Sequence, residues 1–469
     1  MNRTTRSRFG RGDLRRALAT VLVPFALVMF SMQAALAADS RVITFDDAMR
    51  IALERNGTLR QAQIAAEASS VAVDQARAQF LPDLSLSSRG GKSHGRTFNE
   101  AEGRVIDTST DTVSLNASSS VTLFDGFANT SELRQARRNE QATTLDLSRT
   151  RETVVFTVAS NFLALVQQQE QLRVRRESLA AESALERQIA HFVDAGARTI
   201  ADLYQQQAAV ASARLAVVEA ERAAQLAEVD LMETLQLDPA GTYQFEPPPA
   251  DAAAASQDGV LLQAMLANAY AKRTDLQAEE NRLEAADQAV KAARGARWPT
   301  LSLTAGYGTN YTSTSEFDWQ EQFDQRRGGS VNLSVSVPIF NRGATRAAIR
   351  RAQLQAESAR VDFETRRLDV GLEVRRAHLD FLAAREQLTS ADAQLKAAEL
   401  ALQAAQDRYR VGAATLVELS LARAGQVQAA STLVSAKSNL LFQRTLVDYF
   451  TGGLAPPVAA GEQAPASTP

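Results

Sequence analysis

Two acidic residues occupy equivalent places in two copies of one short sequence pattern, G-x-x-T-x-x-[D/E]-L. The first copy begins at Gly196 and has Asp202 as its acid, and the second begins at Gly412 and has Glu418. A carboxylate three residues after a threonine can accept hydrogen bonds from free N–H groups at the start of a helix, and it also stabilises the helix dipole. Local chemistry therefore favours a capping role for both acids.

The same pattern predicts a tight helix turn beside each acid. Gly196 and Gly412 suit the positive φ angle that commonly ends a helix, and Thr199 and Thr415 are suitable N-caps for the returning helices. The standard capping box pairs Ser or Thr with Glu or Gln three residues later. On that rule only Glu418 completes a capping box.

No other residues of the chain form a recognisable reactive constellation. There is no cysteine, and the three histidines, His94, His191 and His378, lie far apart in sequence. We find no nucleophile–base pair, phosphate-binding glycine loop or metal-ligand spacing, so we expect no enzyme activity, cofactor or metal. The net charge of −3 does not indicate a nucleic-acid partner.

Residues 1–37 have the organisation of a secretory signal peptide. Arginines precede an apolar run, and small residues at Ala35–Ala37 suit cleavage. The Arg15–Arg16 pair is compatible with the twin-arginine route, although the general pathway is favoured. A retained membrane anchor is the alternative, but the apolar run is shorter than the roughly 20 residues of a spanning helix.

The rest of the chain is an internal duplication. Pro82 aligns with Pro299, Phe124 with Phe340 and Gly196 with Gly412, at offsets of 216 or 217 residues. We expect a first repeat at 38–237, a Pro-rich linker at 238–258, a second repeat at 259–452 and a disordered tail at 453–469.

Each repeat is predicted to contain a helix, two short strands, a very long helix and a returning helix. The first helix spans about Phe45 to Gln79, with an interruption at Asn56–Gly57. Strands alternate apolar residues with Ser, Thr and Asn, and the segments Arg89–Thr110 and Asn310–Gly329 are expected to be long polar loops. Leu133–Val193 contains neither proline nor glycine and predicts one unbroken helix.

The returning helices carry a heptad of apolar residues, which predicts a coiled-coil seam; packing in an ordinary soluble core is the alternative. Four amphipathic strands cannot close a barrel alone, so strands that span a bilayer require several copies of the chain. Three copies would supply 12 strands. The seam residues are Val210, Val217, Ala224 and Leu231 in the first repeat, and Ala429, Leu433, Ala436, Leu440 and Val447 in the second.

This ordered set of features resembles the TolC-like outer membrane efflux protein family. The resemblance rests on the duplication, on "LPDLSL" and "WPTLSL" before the strands, on "LFDG" and "PIFNRG" after them, and on the two turn patterns. It implies a mainly α protomer with membrane β-structure. The long helical hairpins of three protomers form a periplasmic α-barrel, and their strands form a 12-stranded transmembrane β-barrel.

The resemblance also implies a function. The chain would be a passive outer membrane channel, reaching into the periplasm of a Gram-negative bacterium and serving efflux or type I secretion. Its partners would be further copies in a homotrimer, a periplasmic adaptor, an inner-membrane RND or ABC transporter, and outer membrane lipid.

Particular residues take roles by this resemblance. Asp202 and Glu418 would line a constricted entrance, where clustered carboxylates attract cations, and Tyr409 would help to hold it closed. The family's closing arginine often lies two residues after the second glycine, where this chain has Ala414, while Arg198 occupies that place in the first repeat. The family has a further acid three residues after the second one, and this chain has Leu421 at that position. The exposed turns at Gly196, Thr199, Gly412 and Thr415 would contact the adaptor.

Two other classes of protein compete with this interpretation. A periplasmic coiled-coil adaptor also has long helical hairpins, but it usually has one hairpin within soluble β-domains. A structural coiled-coil protein without a pore would not need strands at the same point of both repeats. Outer membrane fractionation and heat-modifiable gel migration together would distinguish a barrel trimer from both.

Overall fold

The computed structural model describes residues 41–100, 103–246 and 261–454. The predicted signal peptide, most of the predicted linker and nearly all of the predicted tail lie outside these residues. In chain order the elements are β1 (Arg41–Ile43), α1 (Phe45–Arg55), α2 (Gly57–Ala78), β2 (Ser85–Asn99), β3 (Arg104–Phe124), α3 (Ala128–Asp194), α4 (Ile200–Leu235), β4 (Tyr243–Phe245), α5 (Leu262–Lys272), α6 (Thr274–Gly295), β5 (Thr300–Thr312), α7 (Trp319–Gln325), β6 (Gly328–Ser336), α8 (Ala344–Arg410) and α9 (Leu416–Phe450).

Long helices dominate the chain, as the sequence predicts. Helices α3 and α8 each contain 67 residues, which corresponds to about 100 Å of helix. The interruption expected at Asn56–Gly57 is confirmed, because the Asn56 side chain caps α2 by accepting a hydrogen bond from the Leu59 N–H at 3.1 Å. Among the described residues, no helix has both the length and the hydropathy for a membrane span.

The chain divides into two compact units, and α3 contributes to both of them. The first unit combines the chain up to Glu54 with Asn161–Ala255. Its small parallel sheet pairs β1 with β4, so a strand lies where the sequence predicts only a linker. The aromatic rings of Phe45, Phe162 and Phe245 pack edge to face beside this sheet.

The predicted seam of α4 forms the buried side of that helix. Val210, Val217, Ala224 and Leu231 are all buried, as the heptad predicts. In the second unit, which combines Arg55–Ser160 with the chain from Ser256 onward, the seam of α9 is likewise confirmed. Its residues Ala429, Leu433, Ala436 and Val447 are buried, and Leu440 is half-buried.

The second unit contains a four-stranded antiparallel sheet in the order β2-β3-β5-β6. The prediction that two long polar loops connect the strands is wrong in part. Most of Arg89–Thr110 belongs to the β2–β3 hairpin, because the alternation of side chains continues in polar residues beyond the apolar ones. The segment Asn310–Gly329 includes the end of β5, helix α7 and the start of β6.

A group of buried ions holds the joint between α5 and α6. Arg273 is fully buried and donates hydrogen bonds to Asp275 and, through Nη1, to Glu373 of α8 at 2.5 Å. Arg366 of α8 bridges the same two carboxylates. The Nε of Arg149, in α3, lies 3.8 Å from Asp275 Oδ2. Ion pairs therefore connect α3, α6, α8 and the residue between α5 and α6 within the second unit. We call these five residues the joint cluster.

Candidate functional site

The turn between α3 and α4, in the first unit, is closed by backbone hydrogen bonds. The Ala197 N–H donates to the Phe192 carbonyl at 2.8 Å and the Gly196 N–H to the Val193 carbonyl at 2.9 Å. Gly196 has a φ of 71°, the left-handed conformation that the sequence predicts here. The turn therefore ends a long helix within two residues and reverses the chain.

Thr199 then begins α4 as its N-cap, as predicted. Its Oγ1 accepts a hydrogen bond from the Asp202 N–H at 3.2 Å, and the Thr199 N–H donates to Asp202 Oδ2 at 3.4 Å. These reciprocal bonds form a complete capping box. The prediction that Asp202 would not complete one is wrong, because its shorter side chain still reaches the N-cap N–H.

The turn between α8 and α9, in the second unit, repeats the backbone geometry. Gly412 has a φ of 76°, and the Ala413 N–H donates to the Arg408 carbonyl at 2.8 Å. Thr415 caps α9, since its Oγ1 accepts from the Glu418 N–H at 3.2 Å. The four turn residues predicted for docking thus occupy two similar exposed turns.

Glu418 behaves differently from Asp202. Its Oε2 lies 3.9 Å from Arg408 Nη2, across the turn on the preceding helix, and the structure assigns no reciprocal capping bond to it. The prediction that Glu418 makes the standard capping box is therefore wrong. A glutamate is long enough to turn away from its own helix end toward a cation on the neighbouring helix.

The apolar side chains of the two turns also differ in burial. Tyr409, Leu416 and Leu419 are each at most 4% exposed in the second turn. In the first turn Ile200, the counterpart of Leu416, is 52% exposed. The second turn is consequently fixed by apolar packing and the first mainly by its polar cap.

The predicted entrance residues fall into two local groups. Arg198 and Asp202 lie at the turn of the first unit, with both side chains half-buried. Tyr409 is buried and Glu418 exposed at the turn of the second unit, where Ala414 is buried and Leu421 is 68% exposed. Sequence reasoning missed Arg408, because a contact between residues ten apart across a turn leaves no periodic signal.

A family model described as outer membrane efflux protein matches residues 48–235 and 265–452, which are the two repeats. The outer membrane efflux protein BepC of Brucella suis biovar 1 is 26% identical over 326 residues, covering 68% of this chain and 67% of that protein. The protein CyaE of Bordetella pertussis is 30% identical over 345 residues, covering 72% of this chain and 69% of CyaE.

Solved structures show the same fold. A crystal structure of CusC, from work on its folding and transmembrane channel formation, superposes with a TM-score of 0.77. The match covers 87% of this chain and 92% of that chain at 20% sequence identity. Helical hairpins and antiparallel strands are therefore shared with a known channel.

Proposed function

The chain belongs to the outer membrane efflux protein family, and from this premise we propose that three copies assemble into one continuous conduit. The protein is the outer membrane channel of a tripartite efflux system, and it extends into the periplasm. The observation that carries the trimer is the four-stranded sheet. It has one apolar exposed face and two edge strands, β2 and β6, that pair on one side only.

The exposed face of the sheet has the chemistry of a lipid contact. Leu86, Tyr307, Leu333 and Val335 all project from it and are between 57% and 74% exposed. Edge strands in a bilayer leave backbone groups without hydrogen bonds, which costs several kcal/mol for each group. Joining β6 of one copy to β2 of the next satisfies both edges and closes a 12-stranded barrel.

The helices support the same assembly. Helix α8 exposes apolar residues at heptad spacing, and α4 exposes a second apolar stripe that its seam does not use. Neighbouring copies would cover these stripes and build the wall of a helical tunnel. The exposed residues are Leu354, Val361, Leu368, Leu372 and Leu379 on α8, and Leu215, Val218, Leu226 and Val229 on α4.

The partners and the source of energy follow from the same proposal. A conduit of this kind is passive, so transport is driven by an inner-membrane transporter of the RND or ABC class. A periplasmic adaptor joins that transporter to the exposed turns at Gly196 and Gly412.

Replacing both glycines with valine should abolish export while trimers still form, since a β-branched residue is strained at positive φ.

We further propose that Asp202 and Glu418 line the periplasmic entrance, with Tyr409 and Arg198 supporting the closed state. Both acids lie at turns, and Glu418 is exposed. The double variant Asp202→Ala, Glu418→Ala should raise single-channel conductance in planar bilayers and weaken block by trivalent cations. Unchanged conductance and block would reduce both acids to helix capping.

The assembly is tested by membrane fractionation and electrophoresis of the full chain. We expect outer membrane localisation, a band that migrates as a trimer until heated, and ion conductance in planar bilayers. A water-soluble monomer that never inserts into liposomes would exclude the conduit. That result would favour the periplasmic adaptor or a structural coiled coil.

A further inference from the structure

The sheet of the second unit has a second face that is almost free of charge. Its residues alternate with the apolar ones along all four strands, and the Oγ atoms of Ser85 and Ser118 lie 2.8 Å apart on it. Among the described residues of β2, β3, β5 and β6, this face carries no acid. Its residues include Ser85, Ser87, Ser114, Asn116, Ser118, Ser302, Thr304, Asn310, Ser330, Asn332 and Ser334.

Two arginines lie near one row of this face, and a third, Arg104, lies farther out on the β2–β3 hairpin, opposite Asn99. Arg89 of β2 pairs with Ser114 of β3, and Ser114 pairs with Asn310 of β5. The register of β5 and β6 ends at Gly308 opposite Gly328, and Arg326, which ends α7, lies two residues before β6. Arg326 also lines one depression together with Asn116, Gly308 and Asn310. Arg89 and Arg326 therefore both lie beside the row that contains Ser114 and Asn310.

Residues on the opposite, apolar face indicate where this row lies relative to the membrane. Val113 and Leu115, on either side of Ser114, project to the apolar face and are each 39% exposed. Beyond them on that face Lys92 Nζ lies 3.5 Å from Asp111 Oδ1, and an ion pair of this kind marks the end of a lipid contact. The row of Arg89 thus lies where the apolar band ends, at the hairpin side of the sheet.

Within the described part of the chain, no ion pair is assigned to Arg89 or Arg326, whereas the adjacent Arg327 pairs with Asp324 at 3.1 Å. Along the chain that leads into β2, Asp83 lies about 20 Å from Arg89, as six residues at 3.3 Å each. Asp83 accepts hydrogen bonds from the N–H and Oγ of Ser120, which hold it at the other end.

We propose that Arg89 and Arg326 form a cationic collar at the outer end of the barrel lumen, which selects anionic solutes as they leave. The inference rests on the proposed trimeric barrel, in which the polar face lines the lumen and six guanidinium groups share one zone. Carboxylate, phosphate and sulfonate groups are its ligands, because a guanidinium donates to them in pairs.

The dimensions of such a barrel make the collar effective. Twelve strands spaced about 4.8 Å apart and tilted by about 40° enclose a cylinder about 24 Å across. An arginine reaching inward from that wall brings its charge within about one Debye length, roughly 8 Å, of the axis at physiological salt. The collar should therefore act on solutes in the middle of the lumen and should weaken as salt is raised.

Reversal potentials across planar bilayers test the collar. The full chain is compared with Arg89→Gln, Arg326→Gln and the double variant, in a potassium chloride gradient at low ionic strength. Arg89→Lys keeps the charge, and Arg327→Gln removes a charge from the neighbouring residue. Gel migration as a heat-modifiable trimer shows that each variant is assembled.

We expect each single Gln variant to lower the chloride-to-potassium permeability ratio about twofold, which is less than the tenfold or greater enrichment of narrow charged clefts. The double variant should lower it further, and Arg89→Lys and Arg327→Gln should match the unaltered chain. Equal ratios for the double variant and the unaltered chain, in channels that conduct, would overturn the collar alone. If the unaltered chain forms no conducting trimer, both the collar and the proposed conduit fail.

Discussion

The two helix turns share a sequence pattern and a backbone conformation, yet different interactions stabilise them. The turn at Gly196 is closed by a reciprocal capping box between Thr199 and Asp202. At Gly412 the threonine still caps its helix, but Glu418 faces Arg408 instead. A repeated pattern therefore preserves the path of the chain, while one additional methylene group in the acid redirects its carboxylate.

The helix joints of the two repeats differ in the same way. In the first repeat Asn56 caps α2 through a single local hydrogen bond. At the corresponding joint of the second repeat Arg273 makes no capping bond and is instead buried in the joint cluster. Duplication has kept the break in the helix, and each copy has acquired its own means of stabilising that break.

The largest difference between the repeats should appear when the two joints are altered in parallel. Arg273→Ala leaves Asp275 and Glu373 buried with fewer cations, and breaking a buried ion pair costs about 3–5 kcal/mol. Asn56→Ala removes one cap and should cost about 1 kcal/mol. Thermal unfolding of the detergent-solubilised protein, followed by circular dichroism, measures both; equal losses would remove the distinction between the joints.

The next largest effect concerns the apolar residues after each capping threonine. Leu416 is 3% exposed, so Leu416→Ala should destabilise the protein by about 2–4 kcal/mol, the usual cost of truncating a buried leucine. Ile200, at the same place in the first turn, is 52% exposed, and Ile200→Ala should change stability little. A comparable fall in the unfolding temperature for both variants would contradict the difference in packing.

Acid should weaken the joint of the second repeat selectively. Burial raises the pKa of Asp275, but hydrogen bonds and charge from Arg273, Arg366 and Arg149 outweigh it and hold this pKa below its usual 3.8. Because the folded-state pKa is depressed, the ionised Asp275 contributes fully to stability above the unfolded-state pKa. This contribution is lost progressively as pH falls from about 4 toward the folded-state pKa.

A variant separates this contribution from general acid unfolding. Asp275→Asn should be less stable than the unaltered chain at pH 7, and the difference should shrink when unfolding temperatures are measured near pH 3. Burial raises the pKa of Glu152, which pairs with Arg149 beside the cluster. Protonation of Glu152 therefore changes stability in the opposite direction to protonation of Asp275. A constant difference between pH 7 and pH 3 would show that Asp275 is not the titrating group.

The smallest effects distinguish the two acids at the turns. Asp202→Ala removes half of a capping box, and we expect a loss of about 0.5–1 kcal/mol. Glu418→Ala removes a 3.9 Å ion pair between two side chains that are about half exposed, and such pairs contribute about 0–1 kcal/mol. We therefore expect Glu418→Ala to lower the unfolding temperature less; a larger fall would assign Glu418 a structural role.

The sequence predicted those features that depend on neighbouring residues. The positive φ angles at Gly196 and Gly412, the caps at Thr199 and Thr415, and the buried seam of α4 follow from local conformational preference and from periodicity. These features determine the length and direction of the helices, and with the duplication they led to the family.

The remaining features depend on contacts between distant residues or on side-chain reach. Arg273 and Glu373 are 100 residues apart, and neither belongs to a pattern that predicts pairing. The choice of Asp202 over Glu418 for the capping box depends on the reach of each carboxylate and on the position of Arg408. The length of the β2–β3 hairpin was missed because its outer part contains polar residues on both faces.

That hairpin also determines the symmetry of the outer rim. Paired residues continue from Lys92 to Asn99, about 26 Å beyond the last residue pair between β3 and β5. The other hairpin ends sooner, in a segment that contains α7. A rim built from three chains would therefore alternate tall and low projections, with threefold rather than sixfold symmetry. An antibody fragment against the tall ribbon should saturate at three per assembly.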